Sequence, residues 1–175
     1  PLGSAGEGTS RETEFLEYLL RDVCMTEGVD AGQANGAEEA GVGAAPILFR
    51  AELFTLTGDS DNKDPDTGTH LTVKTGDEKA LPASINNADS SGMDMTTYDD
   101  DSHHIVPLAV EAPGARKSDC DGFKVRMWIK TKGSDNWPVD DARVTLCFSD
   151  GTTLVAEKLG FSLNGDGATA EFASL

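Results

Sequence analysis

The chain has 175 residues, a formal net charge of −17 and 38% hydrophobic residues. That length and apolar content suffice for one packed domain with appendages and exclude a wholly disordered chain. The negative charge argues against non-specific binding of the whole molecule to nucleic acid or anionic lipid, because both present negative surfaces. No run of about 18 apolar residues occurs, so the sequence predicts no membrane-spanning helix.

The amino terminus reads as three successive segments. Residues 1–4, Pro-Leu-Gly-Ser, are typical of the stub that remains after an affinity tag is cleaved off. Residues 5–25 are predicted to contain an amphipathic helix, capped by Thr9 or Ser10, and residues 26–45 are predicted to be a flexible linker rich in Gly, Ala and Glu.

The predicted helix carries an apolar stripe, which includes a Leu-x-x-Leu-Leu pattern at residues 16–20. An isolated helix of this length is marginal in water, so the stripe needs a surface to cover it. We expect it to dock either on the same domain or in a hydrophobic groove of a partner. The docking residues would be Phe15, Leu16, Leu19, Leu20 and Val23.

From residue 46 the pattern changes to short strands separated by turn signals. Strand-like runs cover residues 47–56, 70–74, 104–110, 123–130, 142–148, 152–156 and 168–172. Asp150-Gly151 predicts a hairpin because both central residues of such a turn favour positive φ, and a second hairpin is expected near residues 164–167. Residues 78–102 are expected to form a long polar insertion, which is either functional or disordered.

This pattern, with no interleaved helices, indicates a mainly β domain over residues 46–175. The expected architecture is an antiparallel two-sheet sandwich, immunoglobulin-like, with a barrel as the alternative.

The clearest single feature is the run Phe123–Lys130, which alternates apolar and polar residues throughout. Strand geometry sends Phe123, Val125, Met127 and Ile129 to the core. The other face would then be basic and would contain a tryptophan. Candidate partner-binding residues are Lys124, Arg126, Trp128 and Lys130, with Arg116 and Lys117 in the preceding loop.

An exposed tryptophan between cations favours an interaction module that binds an acidic or aromatic protein segment. One alternative is a nucleic-acid-binding regulatory domain, in which a base would stack on Trp128. Another is a carbohydrate-binding module, which requires Trp128 and Trp137 to be exposed together. A third possibility is that Trp128 is covered and the lysines form ordinary cross-strand ion pairs.

Two segments, one rich in oxygen ligands and one with two histidines, contain residue types that bind metal ions. The loop Asp59–Gly68 fails as an EF-hand, because Lys63 stands where the fifth-position ligand is needed and no Glu closes the loop. His103 and His104 would point to opposite faces of a strand, which makes a shared ion difficult. A looser cation site in the Asp59–Gly68 loop is left open, beside the ordinary interpretation of solvated negative charge. We expect no metal and no cofactor.

The sequence also contains no catalytic signature of the serine-hydrolase, phosphate-loop or zinc-protease type, so we expect a non-enzymatic protein. Three cysteines cannot all pair with one another, and no Asn-x-Ser/Thr site occurs. These features favour an intracellular location, in cytoplasm or nucleus. A Cys120 to Cys147 bridge is left open, because sequence spacing alone does not fix it.

Overall fold

The computed structural model describes residues 45–65, 67–78, 83–86, 97–112, 114–131, 133–165 and 167–174, with backbone only for 83–86. All of them belong to the compact unit Ala44–Leu175. The predicted helix within residues 5–25, its docking residues and nearly all of the linker lie outside this part of the chain, so they stay predictions.

The described part is mainly β and contains two antiparallel sheets, as the sequence predicted. The strands are β1 (Leu48–Thr57), β2 (Gly68–Lys74), β3 (Ala83–Asn86), β4 (His103–Pro107), β5 (Lys124–Lys130), β6 (Asn136–Phe148), β7 (Thr153–Asn164) and β8 (Thr169–Ala173). One short helix, α1 (Lys117–Cys120), precedes β5. Within the described residues, no helix has the length and hydropathy needed to cross a membrane.

The strand order is β4-β1-β6-β7 in sheet one and β3-β2-β5-β8 in sheet two. In an immunoglobulin constant-type domain the first two strands are neighbours in one sheet. Here β1 pairs with β4 and β6, while β2 pairs with β3 and β5. The expected likeness to immunoglobulin domains therefore does not extend to the strand order.

Alternation of side chains along β5 builds the core as the sequence predicted. Phe123, Val125, Met127 and Ile129 are each at most 4% exposed. They belong to one hydrophobic cluster with Val144, Leu146 and Phe148 of β6 and with Leu71 and Val73 of β2. Burial of about 25 cal/mol per Å² of apolar surface makes this cluster the main stabilising element of the fold.

The turn between β6 and β7 forms at Asp150-Gly151, although its geometry differs from the one expected. Among the described residues of this turn only Gly151 has a positive φ, of 79°. Gly151 donates its N–H to the carbonyl of Phe148, at 2.8 Å. The hairpin expected near residues 164–167 does not form, because β7 lies in sheet one and β8 in sheet two. That turn carries the chain from one sheet to the other.

Several strand boundaries also depart from expectation. β6 begins at Asn136 and β7 ends at Asn164, so both strands are longer than their apolar runs. The insertion at 78–102 contains the short strand β3, which pairs with β2. β4 ends at Pro107, three residues before the predicted end of its run, and lies at the edge of sheet one, where a residue without an N–H is tolerated.

The two cysteines in the described part differ in state. Cys120 has a free thiol and is fully buried, whereas Cys147 is disulfide-bonded. The Cys120 to Cys147 bridge, left open by the sequence, is therefore not formed. Burial raises the pKa of the Cys120 thiol to about 11, and the neighbouring Asp119 and Asp121 add to this effect. A thiol of this kind is poorly reactive.

Candidate interaction face

The outer surface of sheet two carries the basic row predicted from the sequence. Lys124, Arg126 and Lys130 are exposed, and Trp128 between them is partly exposed. Because β5 is an inner strand, its outward side chains are flanked by those of β2 and β8. We call this surface the basic face.

Strand register arranges the basic face in cross-strand rows. Trp128 lies opposite His70 and Thr169, and Arg126 lies opposite Thr72 and Glu171. Lys124 lies opposite Lys74 and Ala173, and Lys130 opposite Gly68. We call the first three the aromatic row (His70, Trp128, Thr169), the guanidinium row (Thr72, Arg126, Glu171) and the ammonium row (Lys74, Lys124, Ala173).

In the aromatic row, the rings of Trp128 and His70 stack with centroids 5.4 Å apart and planes 11° from parallel. The guanidinium carbon of Arg126 lies 5.7 Å from the centroid of the indole. Stacking and cation–π attraction each restrict the rotamers of the side chains involved. Trp128 is therefore partly covered by two other members of the face.

Two carboxylates border the cations. Glu78 accepts a hydrogen bond from Lys124 Nζ at 2.7 Å, and Glu171 lies 3.8 Å from Arg126 Nε. The hydrogen bond from Lys124 lowers the pKa of Glu78, and the charges of Lys124 and Lys74 lower it further. Both pairs are well exposed, so each contributes little stability and can exchange with a ligand group.

A shallow cavity of about 440 Å³ opens beside these pairs. Its lining includes Lys74 and Lys124 of the ammonium row, Thr72, Arg126 and Glu171 of the guanidinium row, and Glu78. The volume falls within the range of about 300–1,000 Å³ that is usual for ligand pockets. Sequence reasoning missed Lys74, Glu78, His70 and Glu171, because which strands flank β5 is a property of the topology.

Arg116 and Lys117 do not belong to the basic face. Lys117 Nζ donates to Thr152 Oγ1 at 2.9 Å and lies 6.0 Å from the ring centroid of Phe148, both next to the β6–β7 turn of sheet one. Arg116 forms an isolated bridge with Ile47, at the start of the described chain. Lys117 thus contacts sheet one, and Arg116 directly precedes it at the start of α1. The role of both residues in partner binding stays a prediction.

Trp137 is fully buried, and its indole N–H donates to Thr57 Oγ1 at 3.2 Å. The carbohydrate alternative requires two tryptophans exposed together, and this condition is not met. Pro138 interrupts the apolar pattern around Trp137, which hid this core position in the sequence.

The acidic loop Asp59–Gly68 is organised around a lysine. Lys63 is fully buried, and its Nζ donates to the carbonyls of Thr67 and Asp64 at 2.9 and 3.3 Å. The same ammonium lies 4.8 Å from the ring centroid of Tyr98. A positive charge of the chain itself thus contacts the carbonyl oxygens that would attract a metal ion.

His103 and His104 contact different neighbours. His103 stacks on Phe54 with centroids 6.4 Å apart, and His104 stacks on Tyr98 at 3.6 Å. Burial lowers the pKa of His104, the charges of His103 and Lys63 lower it further, and Asp99 opposes them. Across the described residues, no group of three or more His, Cys, Asp or Glu side chains could hold a metal ion.

Comparisons with known proteins add little. No protein-family model matches the chain, and no curated protein sequence matches it. Among solved structures, the alpha-toxin of Clostridium perfringens from an avian strain is similar, with 16% identity and a TM-score of 0.48. The match covers 71% of this chain and 31% of the toxin chain, so it spans about a third of that protein.

Proposed function

We propose that the protein is a non-enzymatic interaction module that binds an acidic or aromatic protein segment through the basic face. One observation carries the proposal: Lys124, Arg126 and Lys130 are exposed on an inner strand, with the stacked pair Trp128 and His70 between them. Inner strands are held on both sides, so the face is rigid before a ligand arrives and little entropy is lost on binding.

The composition of the face supports a protein ligand. Trp and Arg are enriched where protein interfaces are energetically most important, and they occur side by side here. The nucleic-acid alternative uses the same cations. Two of them, Lys124 and Arg126, are already paired with Glu78 and Glu171. A face neutralised in this way suits a peptide with a single carboxylate better than a backbone that carries a charge at every nucleotide.

Two further elements of the proposal rest on sequence. The helix predicted within residues 5–25 would dock either on this domain or on the partner. The intracellular location likewise stays a prediction.

The test is to replace Trp128 with Ala and to measure both stability and binding to acidic peptides that contain an aromatic residue. We expect affinity to fall at least about tenfold, as for a central interface tryptophan, while the free energy of unfolding falls by only about 0.5–1.5 kcal/mol from the lost stacking. Isothermal titration and urea denaturation give the two values.

The matched control is Phe161→Ala in sheet one. Phe161 is also partly exposed, with the ammonium of Lys158 5.9 Å from its ring centroid. It should lose stability but keep the binding. Equal affinity of wild type and Trp128→Ala would contradict the proposal. Tight binding to oligonucleotides, with affinity falling by roughly one log unit per log unit of salt for each phosphate contact, would replace it with the nucleic-acid alternative.

A further inference from the structure

The three rows of the basic face are evenly spaced along β5. Trp128, Arg126 and Lys124 are two residues apart, which is about 6.6–6.8 Å per step on a strand. An extended peptide has the same repeat, so its alternate side chains can face successive rows. Four residues of such a peptide span the distance from the aromatic row to the ammonium row.

The rows differ in local charge. In the guanidinium row, Arg126 is matched by the single carboxylate of Glu171, which lies 3.8 Å from it. In the ammonium row, two opposed lysines, Lys74 and Lys124, share the one carboxylate of Glu78. The ammonium row therefore carries the excess positive charge among the described groups of these rows.

We infer that the basic face binds an extended peptide in which an aromatic residue and an acidic residue are four positions apart. The aromatic side chain would contact the aromatic row, and the carboxylate would contact the ammonium row. This inference rests on the proposed function and adds the geometry of its ligand. The peptide side chain midway between these two faces the guanidinium row. It need not be charged, because Arg126 is already paired with Glu171. Charge complementarity and the matched repeat select this occupant over a compact acidic surface.

The test compares synthetic peptides of identical composition with one Trp and one Glu. In the first pair of peptides, Trp and Glu are four positions apart. One peptide has Trp first and the other has Glu first, because the inference does not fix the direction in which the peptide runs along β5. In the other pair they are three positions apart, which puts them on opposite sides of an extended chain. A helical peptide would tolerate both spacings, because three and four residues lie on one helix face.

We expect the four-residue spacing to bind about three- to fivefold more tightly, which is the effect of one exposed ion pair. Lys74→Gln should abolish this preference, because it leaves one ammonium for one carboxylate. The matched control Lys158→Gln, on β7 of sheet one, should keep the preference.

The outcomes separate the two claims. If both spacings bind equally, and binding is still lost in Trp128→Ala, the inferred spacing is wrong and the proposed function stands. If neither peptide binds, the proposed function fails and the inference fails with it. A preference for three residues over four would overturn the extended conformation.

Discussion

The surroundings of His104 predict that the stability of the fold depends on pH. Its ring stacks on Tyr98, and its Nε2 lies 3.1 Å from Ser102 Oγ. Burial and the charges of His103 and Lys63 lower its pKa in the folded protein, whereas Asp99 raises it. The unfolded chain therefore binds a proton at higher pH than the folded protein does. Stability from this site is complete above the unfolded pKa and declines as the pH falls below it.

We predict that His104→Gln makes the protein less sensitive to acid. At about pH 8 the variant should be less stable than wild type, by about 0.5–1.5 kcal/mol, because the ring stack is lost. The difference should shrink as the pH falls towards about 5.5, where wild type loses stability by the linkage argument. Urea denaturation at the two pH values measures the difference.

His103 is the control for this prediction. Its side chain is exposed, and its charge is one of the causes that lower the pKa of His104. The variant His103→Gln should keep the acid sensitivity that comes from His104, slightly reduced. A gap between His104→Gln and wild type that stays constant with pH would show that only the packing of the ring matters.

At the scale of elements, the β6–β7 turn has a glycine with a left-handed backbone conformation. Gly151 has φ of 79°, which an L side chain adopts only with strain. We predict that Gly151→Ala lowers the free energy of unfolding by about 1–2 kcal/mol, the usual cost of the left-handed region. Space is not the cause, because a Cβ built at this position meets no atom within 4 Å.

Gly133→Ala is the matched substitution. It also has open space around the added Cβ, but its φ is not positive. Its stability should therefore change by less than about 0.5 kcal/mol, or rise slightly because the unfolded chain becomes less flexible. Similar losses for the two variants would show that the turn tolerates a side chain and that strain is not the reason for glycine.

At the same scale, the strands differ in how well the sequence predicts them. β5 was predicted within one residue, because every position from Lys124 to Lys130 follows the alternation of a half-exposed strand. The first part of β6 was missed, since Pro138 and Asp140 break that alternation. Pro138 has no N–H to donate, but it fits at this position because strand β1 has already ended beside it. Its carbonyl accepts the N–H of Gly58, the first residue after β1, at 2.9 Å.

The candidate site was predictable only along one strand. Alternation identified Lys124, Arg126 and Trp128 without reference to any other element. Their partners His70 and Glu171 lie far away in sequence, and only the pairing of β2 and β8 with β5 brings them together. Arg116 and Lys117 are close to β5 in sequence, but nearness in sequence does not place them on its face, since Lys117 contacts the β6–β7 turn of sheet one.

For the whole molecule, a net charge of −17 and a basic face have opposite effects on an acidic ligand. Long-range repulsion by the whole chain slows the approach, while the ammonium row attracts at short range. At physiological ionic strength, salt screens the long-range repulsion beyond a Debye length of about 8–10 Å. It weakens the exposed ion pairs as well. Selectivity for a peptide must therefore come from contacts within the face and not from electrostatic steering.

The burial of Lys63 makes this lysine an internal reporter of folding. A reagent that acylates amines should modify Lys124 and Lys130 readily in the native protein, because both are exposed, and should leave Lys63 intact. Once the loop between β1 and β2 opens, acylation of Lys63 would remove its charge, and the loop could not close again around it. Peptide mapping by mass spectrometry at increasing urea would follow this opening, and early labelling of Lys63 would mean that this end of the sandwich unfolds before the sheets separate.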